Sequence, residues 1–127
     1  MKIVIYNSYD QYALSRAEVE ALRKVLPAEY WSRIHELHIA HSHPKQREPF
    51  EFDEQTGVAF LIVPVKEKTP ALRSEAVRHL LVGLARVKAH STFFLSLRAR
   101  ELDEYEEFVS RWAPKCEDAI VRYHESV

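Results

Sequence analysis

The run Val58-Ala-Phe-Leu-Ile-Val63 constrains this chain more than any other segment. Six consecutive apolar residues, β-branched at both ends, read as the strongest strand in the sequence, and Pro64 after them suggests an irregular end or an edge position. A long helix follows it. From Thr69-Pro70, an N-cap followed by proline at the first helical position, Leu72, Ala76, Leu80, Leu84 and Val87 recur at helical spacing, widened by Val77 and Leu81. Gly83 interrupts this helix at about 1 kcal/mol relative to alanine, which a close backbone contact would explain.

Other segments supply further strands and helices. Lys2–Tyr6 is a short apolar run that opens the fold; it is too short for a signal peptide. Ser15 and Glu18 form a capping box, with Leu14 and Val19 at the staple positions, and Val19, Leu22 and Leu26 continue a helix; Pro27 ends it or opens a further short turn through Tyr30 and Trp31. Residues 33–42 alternate as a strand with Leu37 and Ile39 on one face and Ile34 and Ala40 on the other. Phe50-Glu-Phe-Asp53 alternates too, and Gln55-Thr56-Gly57 turns it back into the Val58 strand, so that Phe50 and Phe52 pack across a hairpin. Residues 92–99 read as a last strand, with a helix as the alternative. Asp103 and Glu106 start a final helix carrying Tyr105, Phe108, Val109 and Trp112; Pro114 breaks or restarts it before Cys116, Ala119, Ile120 and Tyr123.

The order β-α-β-(β)-β-α-β-α resembles the ferredoxin-like βαββαβ layout over residues 1–99, with a C-terminal helix added. The resemblance implies an α+β fold in which helices cover one face of an antiparallel sheet. With neither repeat nor long linker, 127 residues form one domain. The layout carries no function with it.

Charge is distributed unevenly. The net charge is −1, but residues 66–100 hold eight Lys or Arg against two Asp or Glu, and residues 101–127 hold three against eight. The two blocks neutralise each other within the domain or between copies, or else leave a basic face for an anionic partner. Without an overall excess of cations, a nucleic-acid partner is not expected. No stretch approaches the length of a membrane span, and one cysteine, Cys116, makes no internal disulfide, which fits a reducing, cytoplasmic setting.

Two groups of residues are candidates for chemistry. Four of the seven histidines fall between residues 35 and 43. On a strand His35, His41 and His43 share a face, with His41 and His43 as a natural pair for a divalent metal; a third ligand would come from His79, His90 or an acid. The ordinary reading is a polar strand end running into the loop at Pro44. The strands before the long helix resemble the layout of small zinc-protease folds, but His35-Glu36-Leu37-His38 is one residue short of that signature, with Ile39 where the second histidine belongs. His41-Ser42-His43 resembles the paired-histidine site of single-strand DNA nicking enzymes, with Tyr105 or Tyr123 as the implied nucleophile; Ser42 departs from the bulky apolar residue of that family. The second group lies on the long helix: Glu75, His79, Arg86 and His90 follow one stripe past Gly83, fit for an anionic ligand or simply a solvated flank.

Serine-hydrolase elbow, phosphate loop and calcium-loop spacing are all missing, and two glycines cannot build a phosphate loop. The resulting expectation is a domain without catalytic activity or cofactor that acts through protein contacts, including self-association as a homodimer. The alternative is a metal-dependent hydrolase or nuclease using the histidines.

Overall fold

The computed structural model describes residues 1–5, 14–40, 49–63, 70–89, 94–97 and 105–126; for 94–97 it describes the backbone. In chain order the elements are β1 (Lys2–Ile5), α1 (Arg16–Arg23), a 3-10 turn (Ala28–Tyr30), β2 (Glu36–Ala40), β3 (Phe50–Asp53), β4 (Val58–Ile62), α2 (Pro70–Ala89), β5 (Phe94–Leu97) and α3 (Glu106–Ser126). The fold is α+β.

The sheet is mixed, with strand order β1-β2-β4-β3-β5. β1 runs parallel to β2, and β2 parallel to β4, while β3 pairs antiparallel with both β4 and β5. This corrects the antiparallel, ferredoxin-like arrangement. In that layout an antiparallel strand separates the first two strands of the chain. Here β1 and β2 are direct neighbours joined through α1, as parallel strands require of a crossover. The β3–β4 hairpin then extends the sheet beyond β2. Hydrophobic periodicity identifies strands but does not order them.

The hairpin forms as its sequence predicts. Gly57 adopts φ +72°, its N–H donates to the Asp53 carbonyl at 2.8 Å, and the Gln55 N–H donates to Asp53 Oδ1 at 3.0 Å. Phe50 pairs with Leu61 and Phe52 with Ala59 across it. Leu37 aligns with Ala59, Ile39 with Leu61 and Ile3 with Leu37, so one face of the sheet carries a continuous apolar surface. All of these side chains are buried.

α2 covers that face. It begins at Pro70, and from Leu80 to Ala85 every residue is buried. A stretch buried on all sides must be enclosed on all sides, and α2 lies between the sheet (β3, β4 and β5) and α3. Gly83 sits against Phe50: a Cβ there would lie 2.6 Å from Phe50 Cδ2. The glycine in mid-helix thus answers to a specific close approach.

α1 starts as its capping box dictates. Ser15 Oγ accepts from the Glu18 N–H at 3.2 Å, and Glu18 Oε1 accepts from the Ser15 N–H at 2.8 Å. Leu14, Val19, Leu22 and Leu26 are buried in the same core as β1 and β2. α3 packs on α1 and α2 through Val109, Cys116 and Ile120. It continues unbroken through Pro114, against the expected break or restart. Buried residues on both sides of the proline hold the helix through the one backbone bond that proline cannot donate.

α2 and α3 are also joined by charge. Arg73 Nε meets Glu117 Oε2 at 3.2 Å, Ser74 Oγ donates to Glu117 Oε1 at 3.1 Å, and Arg78 Nη2 meets Glu106 Oε2 at 3.0 Å. The basic and acidic blocks therefore neutralise each other within the molecule at these pairs. No helix among the described residues is long and apolar enough to cross a membrane.

Candidate functional site

An open groove of about 880 Å³ runs between α1 and α3. Its floor is Ala17, Ala21 and Val25 from α1 and the segment after it, and Ala119 and Tyr123 from α3. Its rim is Arg16, Glu20, Lys24, Arg122 and Ser126. The arrangement comes from two rows on α1. Val19, Leu22 and Leu26 point into the core, while Ala17, Ala21 and Val25 recur every four residues as a second row of mostly small side chains. α3 repeats the pattern: Cys116 and Ile120 are buried, and Ala119 and Tyr123 are half-buried beside them. Alanines on the floor leave the space that larger side chains would fill.

The rim is cationic on balance. Glu20 is paired with Arg23 at 3.1 Å, and Arg122 with Asp118 at 3.0 Å. Among the described residues Arg16 and Lys24 make no ion pair, and both are exposed. At one end the two helices are tied together by Glu18, which is 2% exposed. Its Oε1 closes the α1 cap, and its Oε2 meets His124 Nε2 of α3 at 3.1 Å. The Tyr123 and His124 rings meet edge-on at 5.1 Å between centroids.

Of the residues singled out from sequence, Tyr123 lines this groove, and the histidine and α2 candidates do not. His35 is exposed and packs over Gly57, where a Cβ would lie 2.8 Å from His35 Cγ. Its backbone N–H donates to the Gly57 carbonyl at 2.7 Å, so it anchors the hairpin turn. His38 lies on the opposite face of β2 from Leu37 and Ile39, with its ring 5.0 Å from that of Phe60 and its Nε2 3.6 Å from Glu36 Oε1. His41, His43 and His90 lie outside the described residues. Among the described residues, no group of three or more His, Cys, Asp or Glu side chains is placed to hold a metal ion.

On α2, Glu75 is exposed and His79 half-buried one turn later. Burial lowers the His79 pKa below its ordinary value, with Glu75 opposing and Arg78 reinforcing the shift. Arg86 is half-buried two turns on, roughly 10 Å along the axis at 1.5 Å per residue. Glu75 and His79 are thus brought together. Cys116 is fully buried, and burial, with Glu117 adding, pushes its thiol up to about 12. A thiol held in that state is not a nucleophile.

Compared with protein-family models, curated proteins and solved structures, the chain matches none.

The groove residues are inconspicuous in sequence because alanines at i, i+4 look like filler. Their one signal is the second row on each helix: Ala17-Ala21-Val25 and Ala119-Tyr123 both lie beside, and not within, the core-facing row.

Proposed function

We propose that this chain is a protein-interaction domain without catalytic activity, and that the α1–α3 groove is where a helical segment of another protein, or of a second copy, docks. The observation that carries this reading is the groove's composition: an apolar floor of small side chains between two helices, rimmed by long charged ones. That is the surface on which an amphipathic helix lays an apolar stripe at i, i+3, i+4 and i+7. The alanines admit the larger side chains of the incoming helix, while the rim selects its polar flanks.

The test is selection from a library of helix-forming peptides against the intact protein. Enriched sequences are expected to share an apolar stripe at helical spacing. They are also expected to lose binding to an Ala21→Arg variant whose circular dichroism matches the parent. Failure to enrich such sequences, or binding indifferent to Ala21→Arg, contradicts the reading. Sedimentation at several concentrations separates a second copy from a distinct partner.

A further inference from the structure

Resting on that reading of the groove, we infer that its occupant is an acidic amphipathic helix from a different protein, carrying two carboxylates seven or eight residues apart beside its apolar stripe. The spacing comes from the rim. Arg16, the first residue of α1, and Lys24, the C-cap residue just past its end, stand eight residues apart, about 12 Å along the helix axis at 1.5 Å per residue. They are the two rim cations without an ion pair among the described residues. Between them Glu20 is held by Arg23, and across the groove Arg122 is held by Asp118. The rim therefore offers an incoming helix positive charge at two separated points over an apolar floor. Carboxylates at i and i+7 or i+8 of the occupant span roughly 10–12 Å and meet both points at once.

The same pattern of charges separates a foreign helix from a second copy. The acidic helix among the described residues is α3, and three of its five carboxylates are occupied, while the other two, Glu107 and Glu125, lie 18 residues apart and cannot meet both points at once. Glu106 is paired with Arg78, Glu117 with Arg73 and Ser74, and Asp118 with Arg122. A second copy offering α3 to the groove would have to break those pairs or dock without them. A partner whose carboxylates are free in solution does neither.

The experiment uses three synthetic helical peptides with one shared Leu/Ala stripe. They carry Glu, Gln or Lys at two flanking positions eight residues apart, and are titrated into the full chain by fluorescence anisotropy and amide NMR. Arg16 and Lys24 are exposed, so Arg16→Glu with Lys24→Glu is a surface change, and circular dichroism checks that it folds.

The Glu peptide is expected to bind a few-fold to about thirtyfold more tightly than the Gln peptide at low salt, from two rim-exposed pairs. The preference should fade near 1 M salt, where screening extends only about 3 Å. The double variant should instead prefer the Lys peptide. Equal binding of all three peptides at residues 16–25 and 119–126 overturns the acidic partner and leaves the groove reading standing. Binding of none of the three overturns both. A concentration-dependent dimer abolished by Arg16→Glu with Lys24→Glu overturns the foreign partner in favour of a second copy.

Discussion

Replacing Gly83 with alanine tests the packing on which the fold rests, because two effects of opposite sign compete there. In an open helix the change stabilises by about 1 kcal/mol, through the greater backbone entropy that glycine loses. In this helix the new methyl would lie 2.6 Å from Phe50 Cδ2, with Cγ and Cδ1 closer still. These atoms are at the root of the ring, and Phe50 is fully buried on β3, so the ring cannot swing into solvent. Overpacking of this kind costs about 1–3 kcal/mol. A contact this close belongs in the upper part of that range, about 2–3 kcal/mol, leaving a net loss of about 1–2 kcal/mol. For a domain of this size that lowers the melting temperature by roughly 3–10 °C. Urea titration and thermal melting followed by circular dichroism measure both quantities. Phe50→Leu introduced into the Gly83→Ala background should recover part of the loss, and a double-mutant cycle should show coupling between the two sites. A Gly83→Ala protein as stable as the parent, or more stable, would refute the placement of α2 against β3.

Three other perturbations have equally definite outcomes. Ser15→Ala removes the acceptor for the Glu18 N–H and should cost about 1 kcal/mol in urea unfolding, with α1 fraying first by hydrogen exchange. His79, whose pKa is depressed in the folded state, binds protons more readily when unfolded; stability is therefore unaffected by it above pH 6.5 and falls as pH drops from 6.5 toward the folded pKa. His79→Gln should flatten that part of the stability–pH curve, and an unchanged slope would show that His79 does not contribute. Cys116 should resist iodoacetamide in native buffer and react fully in denaturant, whereas rapid native labelling would contradict its burial.

How much was legible in the sequence depended on whether the signal was local. The capping box at Ser15 and Glu18, the Gly57 turn, the Phe50–Phe52 hairpin and the apolar face of α2 are all set by residues within a few positions of one another, and all are present. The close contact expected at Gly83 is the one Phe50 makes. Strand order was not legible. β1 and β2 become parallel neighbours through the α1 crossover, and an alternating strand looks the same in either sheet. Pro114 misled for a related reason: its local cost is real, and packing around Val109, Cys116 and Ile120 outweighs it. The opposed charge blocks were visible, but only the structure shows Arg73 and Arg78 paired with Glu117 and Glu106. The groove is a property of two helices 98 residues apart at Ala21 and Ala119, and of small side chains whose row lies beside the core-facing one.

Groove docking is tested most directly by the position of a bound helix. Amide hydrogen exchange, with and without a saturating library-selected helical peptide, reports it residue by residue. Docking in the α1–α3 groove predicts added protection concentrated in residues 16–25 and 119–126, with β1, β2 and β4 unchanged. Protection appearing instead along α2 around Glu75 and His79, or at the β2 end of the sheet, would contradict it.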